Sequence, residues 1–336
     1  MTILAGAVIR RARTAVRRSG IPFTACAGMP ENADASPTAH STPETRLATA
    51  LAAVPILVWG ATLAWVRTLS DEVGAVSGGA WMCIGATIAL WLWRTARQGL
   101  TLPRVSGKTI ALNGSLFAAY LVCFSVAVGT AASRVEAVSV GLVNYLWPSL
   151  AMLIAPLFSG ARITLLLTTQ VAVAIAGTAI AVLARGDIPV SAILQAIAQR
   201  PVPYIAALLA ALCWALYSNT ASVGVREKDE NPVSVYLPMA AAATGLYAYV
   251  VEGLPLPQQT STWISLVTLS VATATAYLCW DFAMRKGNAR LVGLGALFTP
   301  ILSVSIAGIA FGETLGWNIW AGASLIVLAS WMSRRT

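Results

Sequence analysis

Residues 141–160 read GLVNYLWPSLAMLIAPLFSG, and residues 293–312 read GLGALFTPILSVSIAGIAFG. The two stretches run at a constant offset of 152: Gly141-Leu142 falls on Gly293-Leu294, Pro148 on Pro300 and Gly160 on Gly312. Trp59, in an early apolar segment, aligns loosely with Trp214. The chain therefore reads as two copies of one unit, about 46–185 and 202–334.

The surroundings of these stretches set the class. Of 336 residues 57% are apolar and 10% charged, and the mean hydropathy is +0.74. Soluble domains carry about 25% charged residues, so this chain lacks the polar surface that water demands. A bilayer core asks for about 20 apolar residues per helix. Ten segments qualify: 47–69, 73–93, 109–131, 136–158, 163–184, 202–224, 232–252, 261–284, 288–311 and 314–333. Five spans per copy is an odd number, so the second copy enters the membrane upside down. Inverted repeats of this kind place a solute site near the midplane between the halves. The expected fold is all-α and integral to the membrane: ten helices in two inverted five-helix repeats, in the inner membrane.

The net charge of +9 does not point to nucleic acid, because the basic residues form no patch. They follow the rule that Lys and Arg stay on the cytoplasmic side. With the N-terminus inside, 18 of the 22 basic residues lie on the inner side, and only Arg67, Arg134, Arg185 and Arg200 lie outside. Both termini are expected in the cytoplasm. Residues 1–45 read as a disordered cytoplasmic tail, with Arg17-Arg18 but no following apolar run that would make a signal. Residues 46–185 form the first repeat and 202–336 the second. Between them, 186–201 is a periplasmic linker in which Val190, Ile193, Leu194 and Ile197 recur at helical spacing, as in a short interfacial helix.

Enzyme chemistry finds no footing. The single histidine, His40, is in the tail, and four of the five cysteines lie inside apolar runs. No nucleophile elbow, phosphate loop or zinc motif is present, and neither a metal nor a cofactor is expected. The acids nearest the membrane are Glu136, Glu252, Asp281 and Glu313, of which only Asp281 falls within a span.

The aromatic residues say more. Trp65, Trp91, Trp93, Trp263, Trp317, Trp320 and Trp331 lie near segment ends, where an interfacial belt accounts for them. Trp59, Trp81, Trp147 and Trp214 lie near centres, and Trp280 is intermediate; there an indole N–H needs a partner or a cavity. Helical spacing puts Val140, Asn144, Trp147 and Ala151 on one face, Asn113, Phe117, Tyr120 and Phe124 on a second, and Ala210, Trp214, Tyr217 and Ala221 on a third. Tyr277, Trp280, Asp281 and Met284 cluster in the eighth segment. Pro148 removes an N–H and frees the Asn144 carbonyl, and its recurrence as Pro300 makes the two prolines a candidate hinge pair. Together these faces describe a central aromatic-lined cavity with few fixed charges, suited to a neutral or zwitterionic solute. The candidate binding residues are Trp59, Tyr120, Asn144, Trp147, Trp214, Tyr217, Tyr277, Asp281 and Thr299.

The strings VGLVNYLWPSLAML (140–153), AYLCWDFAMRKGN (276–288) and LFTPILSV (297–304) carry a resemblance. Over about 46–334 the chain resembles the YddG-type aromatic amino-acid exporters of the drug/metabolite transporter (EamA-like) superfamily. The resemblance implies ten helices and export of Phe, Tyr, Trp and related neutral amino acids. It also implies a cavity lined by the first, third, fourth, sixth, eighth and ninth spans. A monomer is expected, with small-molecule cargo and the lipid bilayer as its partners. Two features depart from the pattern: the tail 1–45, and Asp281 where the family often has Asn. Proton coupling usually needs an acid or histidine at a helix centre, and the one candidate, Asp281, is drawn into pairing by Arg285 and Lys286. Facilitated transport is therefore expected. The rival readings are a membrane scaffold without transport and efflux of other metabolites or drugs. Cation efflux needs a carboxylate deep in the first span, which this chain lacks.

Overall fold

The computed structural model describes residues 42–132, 134–160, 162–183, 189–224, 231–310 and 317–332. The predicted tail lies outside them up to residue 41. From there the chain enters a helix earlier than the hydropathy suggested. Thr42 accepts a hydrogen bond from the Thr45 amide at 3.2 Å, Pro43 opens the first turn and Glu44 follows it. This is the N-terminal chemistry that favours a helix start.

Every described element is helical. In order they are α1 (Pro43–Leu51), α2 (Ala53–Val73), α3 (Ala75–Gln98), a single turn Gly107–Thr109, a π-helical turn Ile110–Gly114, α4 (Ser115–Gly129), α5 (Arg134–Asn144), α6 (Trp147–Ser159) and α7 (Leu165–Leu183). The second half continues with α8 (Val190–Gln199), α9 (Pro201–Gly224), α10 (Val233–Glu252), α11 (Thr260–Lys286), α12 (Ala289–Ala296), α13 (Thr299–Ala310) and α14 (Trp317–Met332). Among the described residues, seven helices are long and apolar enough to cross a membrane: 43–62, 75–98, 107–129, 140–158, 201–221, 233–252 and 260–286. Three shorter apolar helices, 165–180, 289–303 and 320–329, fall on the remaining predicted segments. The linker's apolar periodicity becomes the ten-residue helix α8.

Burial is distributed as a bilayer requires. Large apolar side chains face outward, including Leu92, Leu246, Val250, Ile264, Val271 and Ile309, all more than half exposed. Alanines fill the interior, with Ala80, Ala86, Ala207, Ala210, Ala240 and Ala276 fully buried. Lipid tails give apolar side chains no reason to hide, and small residues let backbones approach. On α7, a Cβ on Gly177 would stand 2.8 Å from the Gly322 carbonyl of α14, so only glycine permits that crossing.

The helices pack across the halves in an exchangeable pattern. α2 lies against α11 and α13, and α9 lies correspondingly against α4 and α6. α3 packs on α11 as α10 packs on α4, while α3 pairs with α10 and α7 with α14. Adding five to a segment number turns each of these pairs into an observed one.

The stretches that open the sequence reading are both broken. α5 ends at Asn144 and α6 begins at Trp147; α12 ends at Ala296 and α13 begins at Thr299. Leu146 N donates to Val143 O and Phe298 N to Gly295 O, and Leu150 N donates to Leu146 O as Leu302 N does to Phe298 O. These bonds keep the offset of 152. Pro148 and Pro300 sit in the first turn of the second piece, where a missing N–H costs nothing. They start helices and do not kink them from within.

A proline inside α10 has a different consequence. Pro238 leaves the Ser234 carbonyl without its helical donor, and the Trp91 indole supplies one at 3.1 Å. Trp91 thus completes a helix.

Carboxylates tie the α2–α3 and α10–α11 hairpins together. Gly74, with φ of +92°, makes the α2–α3 turn. Glu252, at the end of α10, accepts from the Ser77 and Val76 amides at 2.7 and 3.3 Å. Glu72, at the end of α2, accepts from the Gln258 and Gln259 amides ahead of α11.

Candidate functional site

All six of the predicted aromatic residues meet in one place. Trp214, on α9, is the hub: Trp59, Phe117, Tyr120, Trp147, Tyr217, Tyr277 and Trp280 have ring centroids 4.7–6.2 Å from it. Trp59 of α2 also touches Trp147 at 6.1 Å and Trp280 at 5.3 Å. Phe117 of α4 meets Tyr277 edge-on at 4.8 Å and reaches Tyr236 of α10 at 6.1 Å. Edge-to-face pairs are worth about 0.5–1.5 kcal/mol each beyond their burial, so this assembly holds six helices at their centre.

The sequence faces explain the convergence. Ala210, Trp214, Tyr217 and Ala221 are all buried, as their spacing on α9 requires. The α5–α6 break lets Trp147 head a new helix while Asn144 ends the old one. On α11, Tyr277 and Asp281 are one turn apart on the same side. The π-helical turn contributes as well: Asn113 lies inside it, buried, and Phe117 follows on α4.

Three members were absent from the predicted set. Trp280 was seen as intermediate in depth, Phe117 as one of a face, and Tyr236 was not singled out. Tyr236 comes from the seventh segment, which the expected cavity lining omits. Its signal was available: buried positions at Val233, Tyr236, Leu237 and Ala240 recur at helical spacing. Trp81 lies elsewhere. It packs against Leu69 and Leu269 and donates to the Pro255 carbonyl at 2.8 Å, in the loop before α11.

The rings close on one another. Trp147, Trp214, Tyr217, Tyr277 and Trp280 are each buried, while Trp59 and Tyr120 are half-buried. An apolar groove does exist, but it opens outward between α3 and α11, lined by Leu90, Trp93, Val271 and Phe282 among others.

Polar atoms without partners among the described residues surround the rings: Asn144 Oδ1, the Tyr217 hydroxyl, Trp280 Nε1, Asp281 Oδ1 and Thr299 Oγ1. Asn144 lies beside the Tyr120 hydroxyl. Thr299 is buried at the start of α13, which packs on the helix that carries Trp59. Most buried polar groups in proteins are satisfied, and each exception calls for a cause such as a bound water, ion or solute. The set offers donors (Trp280, Tyr217, Thr299) and acceptors (Asn144, Asp281) for a solute bearing both charges.

The acids divide by role. Glu252 serves a helix end, as above. Glu136 is buried, accepts from the Ala132 amide at 2.7 Å and lies 3.5 Å from Arg200. Glu313 lies outside the described residues. Asp281 is paired with Arg285, whose Nε and Nη2 stand 2.7 and 2.6 Å from Oδ2. Lys286 turns instead to Glu44 of α1, at 3.7 Å.

A model of the EamA-like transporter family matches residues 202–335. Over 291 residues the chain is 27% identical to the aromatic amino acid exporter YddG of Salmonella typhimurium, covering 86% of this chain and 98% of that one. It is 28% identical over 292 residues to the Escherichia coli exporter of the same name, with the same shares covered. A crystal structure 23% identical in sequence matches the fold with a TM-score of 0.71 over 85% of this chain and 97% of that one. Apolar helices, a lipid-facing exterior and a buried aromatic centre define a multi-pass inner-membrane protein of the transporter class. The chain belongs to the EamA-like transporter family, within it to the YddG type.

Proposed function

We propose that this protein exports aromatic and related neutral amino acids across the inner membrane by alternating access. The observation that carries the reading is the buried ring cluster with unpartnered donors and acceptors around it. The rings suit the cargo side chain, and the polar atoms suit its ammonium and carboxylate. The names of the two relatives agree with this cargo.

The architecture behind the proposal is ten spans in two inverted repeats, 46–185 and 202–336, with both termini cytoplasmic and 186–201 on the periplasmic side. The exchangeable packing and the paired breaks support it. Trp59, Tyr120, Asn144, Trp147, Trp214, Tyr217, Tyr277, Asp281 and Thr299 hold the cargo. Pro148 and Pro300 mark the hinges on which the ring cluster opens to either side, and one copy of the chain suffices. Tight ring packing by itself would also suit a scaffold protein. A core built only for stability, however, leaves few polar atoms unsatisfied.

Transport is facilitated, because Asp281 is engaged by Arg285. Liposomes with equal cargo on both sides and an imposed pH gradient accumulate none; accumulation that a protonophore collapses would show proton coupling. The export reading is tested in a strain hypersensitive to toxic aromatic amino-acid analogues. Expression confers resistance and lowers the intracellular analogue several-fold. Unchanged sensitivity with the protein correctly inserted contradicts the proposal.

A further inference from the structure

The Asp281–Arg285 pair, whose carboxylate is buried, is incomplete on one side. A guanidinium and a carboxylate that meet squarely use two donors on two oxygens. Here both Arg285 donors converge on Oδ2, and Oδ1 has no partner among the described residues. Asp281 is 1% exposed, so bulk water does not serve that oxygen. A buried acceptor in this condition is destabilising, and more so when charged. The Tyr217 hydroxyl lies beside the carboxylate as its other side-chain donor, close to it but short of full hydrogen-bond geometry to Oδ1. The ring of Tyr217 meets Phe117 at 5.4 Å and Trp214 at 5.1 Å. Tyr277, Asp281 and Arg285 follow at successive turns of α11, so ring cluster, free oxygen and guanidinium share one helix face.

We infer that Asp281 Oδ1 receives the ammonium group of the cargo, so that the site selects solutes joining an aromatic ring to a protonated amine; this rests on the export reading above. An ammonium has donors and no acceptor. It fits an acceptor-only oxygen and a rotatable hydroxyl, and ring faces attract it. Arg285 retains Oδ2 and balances the carboxylate, so the ammonium meets an oriented acceptor and not an isolated buried charge. An aromatic acid lacking the amine leaves Oδ1 unpaired and sets its own carboxylate near a like charge. Sites that hydrogen-bond a substrate group reject the analogue without it strongly.

The test uses the purified full chain in liposomes loaded with unlabelled tryptophan, measuring counterflow of labelled tryptophan against two competitors. Phenethylamine keeps the ring and amine; 3-phenylpropionate keeps the ring and carboxylate. In the wild type, phenethylamine competes at least tenfold better. Asp281→Asn, close in shape, removes most of that ratio, and Tyr217→Phe weakens the amine several-fold while leaving 3-phenylpropionate unchanged. Equal competition in the wild type overturns the inference, as does an unchanged ratio in folded Asp281→Asn. Should Asp281→Asn not fold, the wild-type ratio and Tyr217→Phe decide. Absence of tryptophan counterflow in the wild type defeats the export reading itself.

Discussion

Trp214 is the residue on which the centre of the molecule turns, since seven other rings lie within 6.2 Å of it. Removing such a side chain from a packed core costs about 3–5 kcal/mol. Trp214→Ala is therefore expected to lower the melting temperature as well as abolish transport, whereas Trp214→Phe keeps a ring at the hub and a folded yield. Trp147→Ala, at the edge of the cluster, loses contacts to Trp59, Trp214 and Trp280. It is expected to impair transport of indole-bearing cargo more than it lowers stability. Thermal denaturation in detergent beside uptake in liposomes checks both; normal transport by either alanine variant reduces that residue to packing. At this scale the sequence was informative wherever an aromatic recurred at helical spacing in mid-segment, as Trp214 and Tyr217 do. It was silent where the decisive fact is a contact between distant helices. Tyr236 enters through Phe117 and Tyr217; the helical spacing on α10 marks its face as buried but not the rings it meets.

Helices were legible in hydropathy and their interruptions less so. The fourth and ninth segments read as continuous spans with a proline kink, because apolar sequence has no feature that distinguishes a bend from a break. The structure ends α5 and α12 before the prolines and restarts the chain upon them. Replacing both Pro148 and Pro300 with Ala restores an N–H at each restart and favours a continuous helix. The double variant is expected to slow turnover at least several-fold with little change in KM; normal turnover would make the prolines passive. The link from Trp91 to the Ser234 carbonyl was hidden for another reason: its cause, Pro238, lies in a helix that only folding brings alongside. The hairpin ties give a pH expectation. The Thr262 hydroxyl, followed by the amides of Gln258 and Gln259, draws the pKa of Glu72 below its ordinary 4.5. A depressed carboxylate stabilises the fold above its unfolded pKa, and that contribution is lost as pH falls through the folded value. Melting temperatures taken across pH 6 to about pH 3 should fall less steeply in Glu72→Gln than in the wild type; parallel curves would show that the tie contributes nothing.

For the whole molecule, the offset of 152 between residues 141–160 and 293–312 was the most far-reaching feature of the sequence, and the exchangeable contacts between halves are its three-dimensional counterpart. Hydropathy could not tell that the central rings close on one another, since a cavity and a packed core are lined by the same residue types. Orientation rests on where Lys and Arg fall. Reporter fusions after Ser333 and within 187–200 are expected to give opposite signals, cytoplasmic and periplasmic; a periplasmic C-terminus would overturn the layout. The central claim is that an aromatic amino acid passes through the ring cluster. Purified protein in liposomes, preloaded with unlabelled phenylalanine and offered a panel of labelled amino acids, measures this most directly. The account predicts rapid counterflow of tryptophan, tyrosine and phenylalanine, slower exchange of other neutral amino acids, none of lysine or glutamate, and loss of the aromatic signal in Trp214→Ala. Counterflow no greater than in protein-free liposomes, or equal rates for aromatic and charged amino acids, would contradict it.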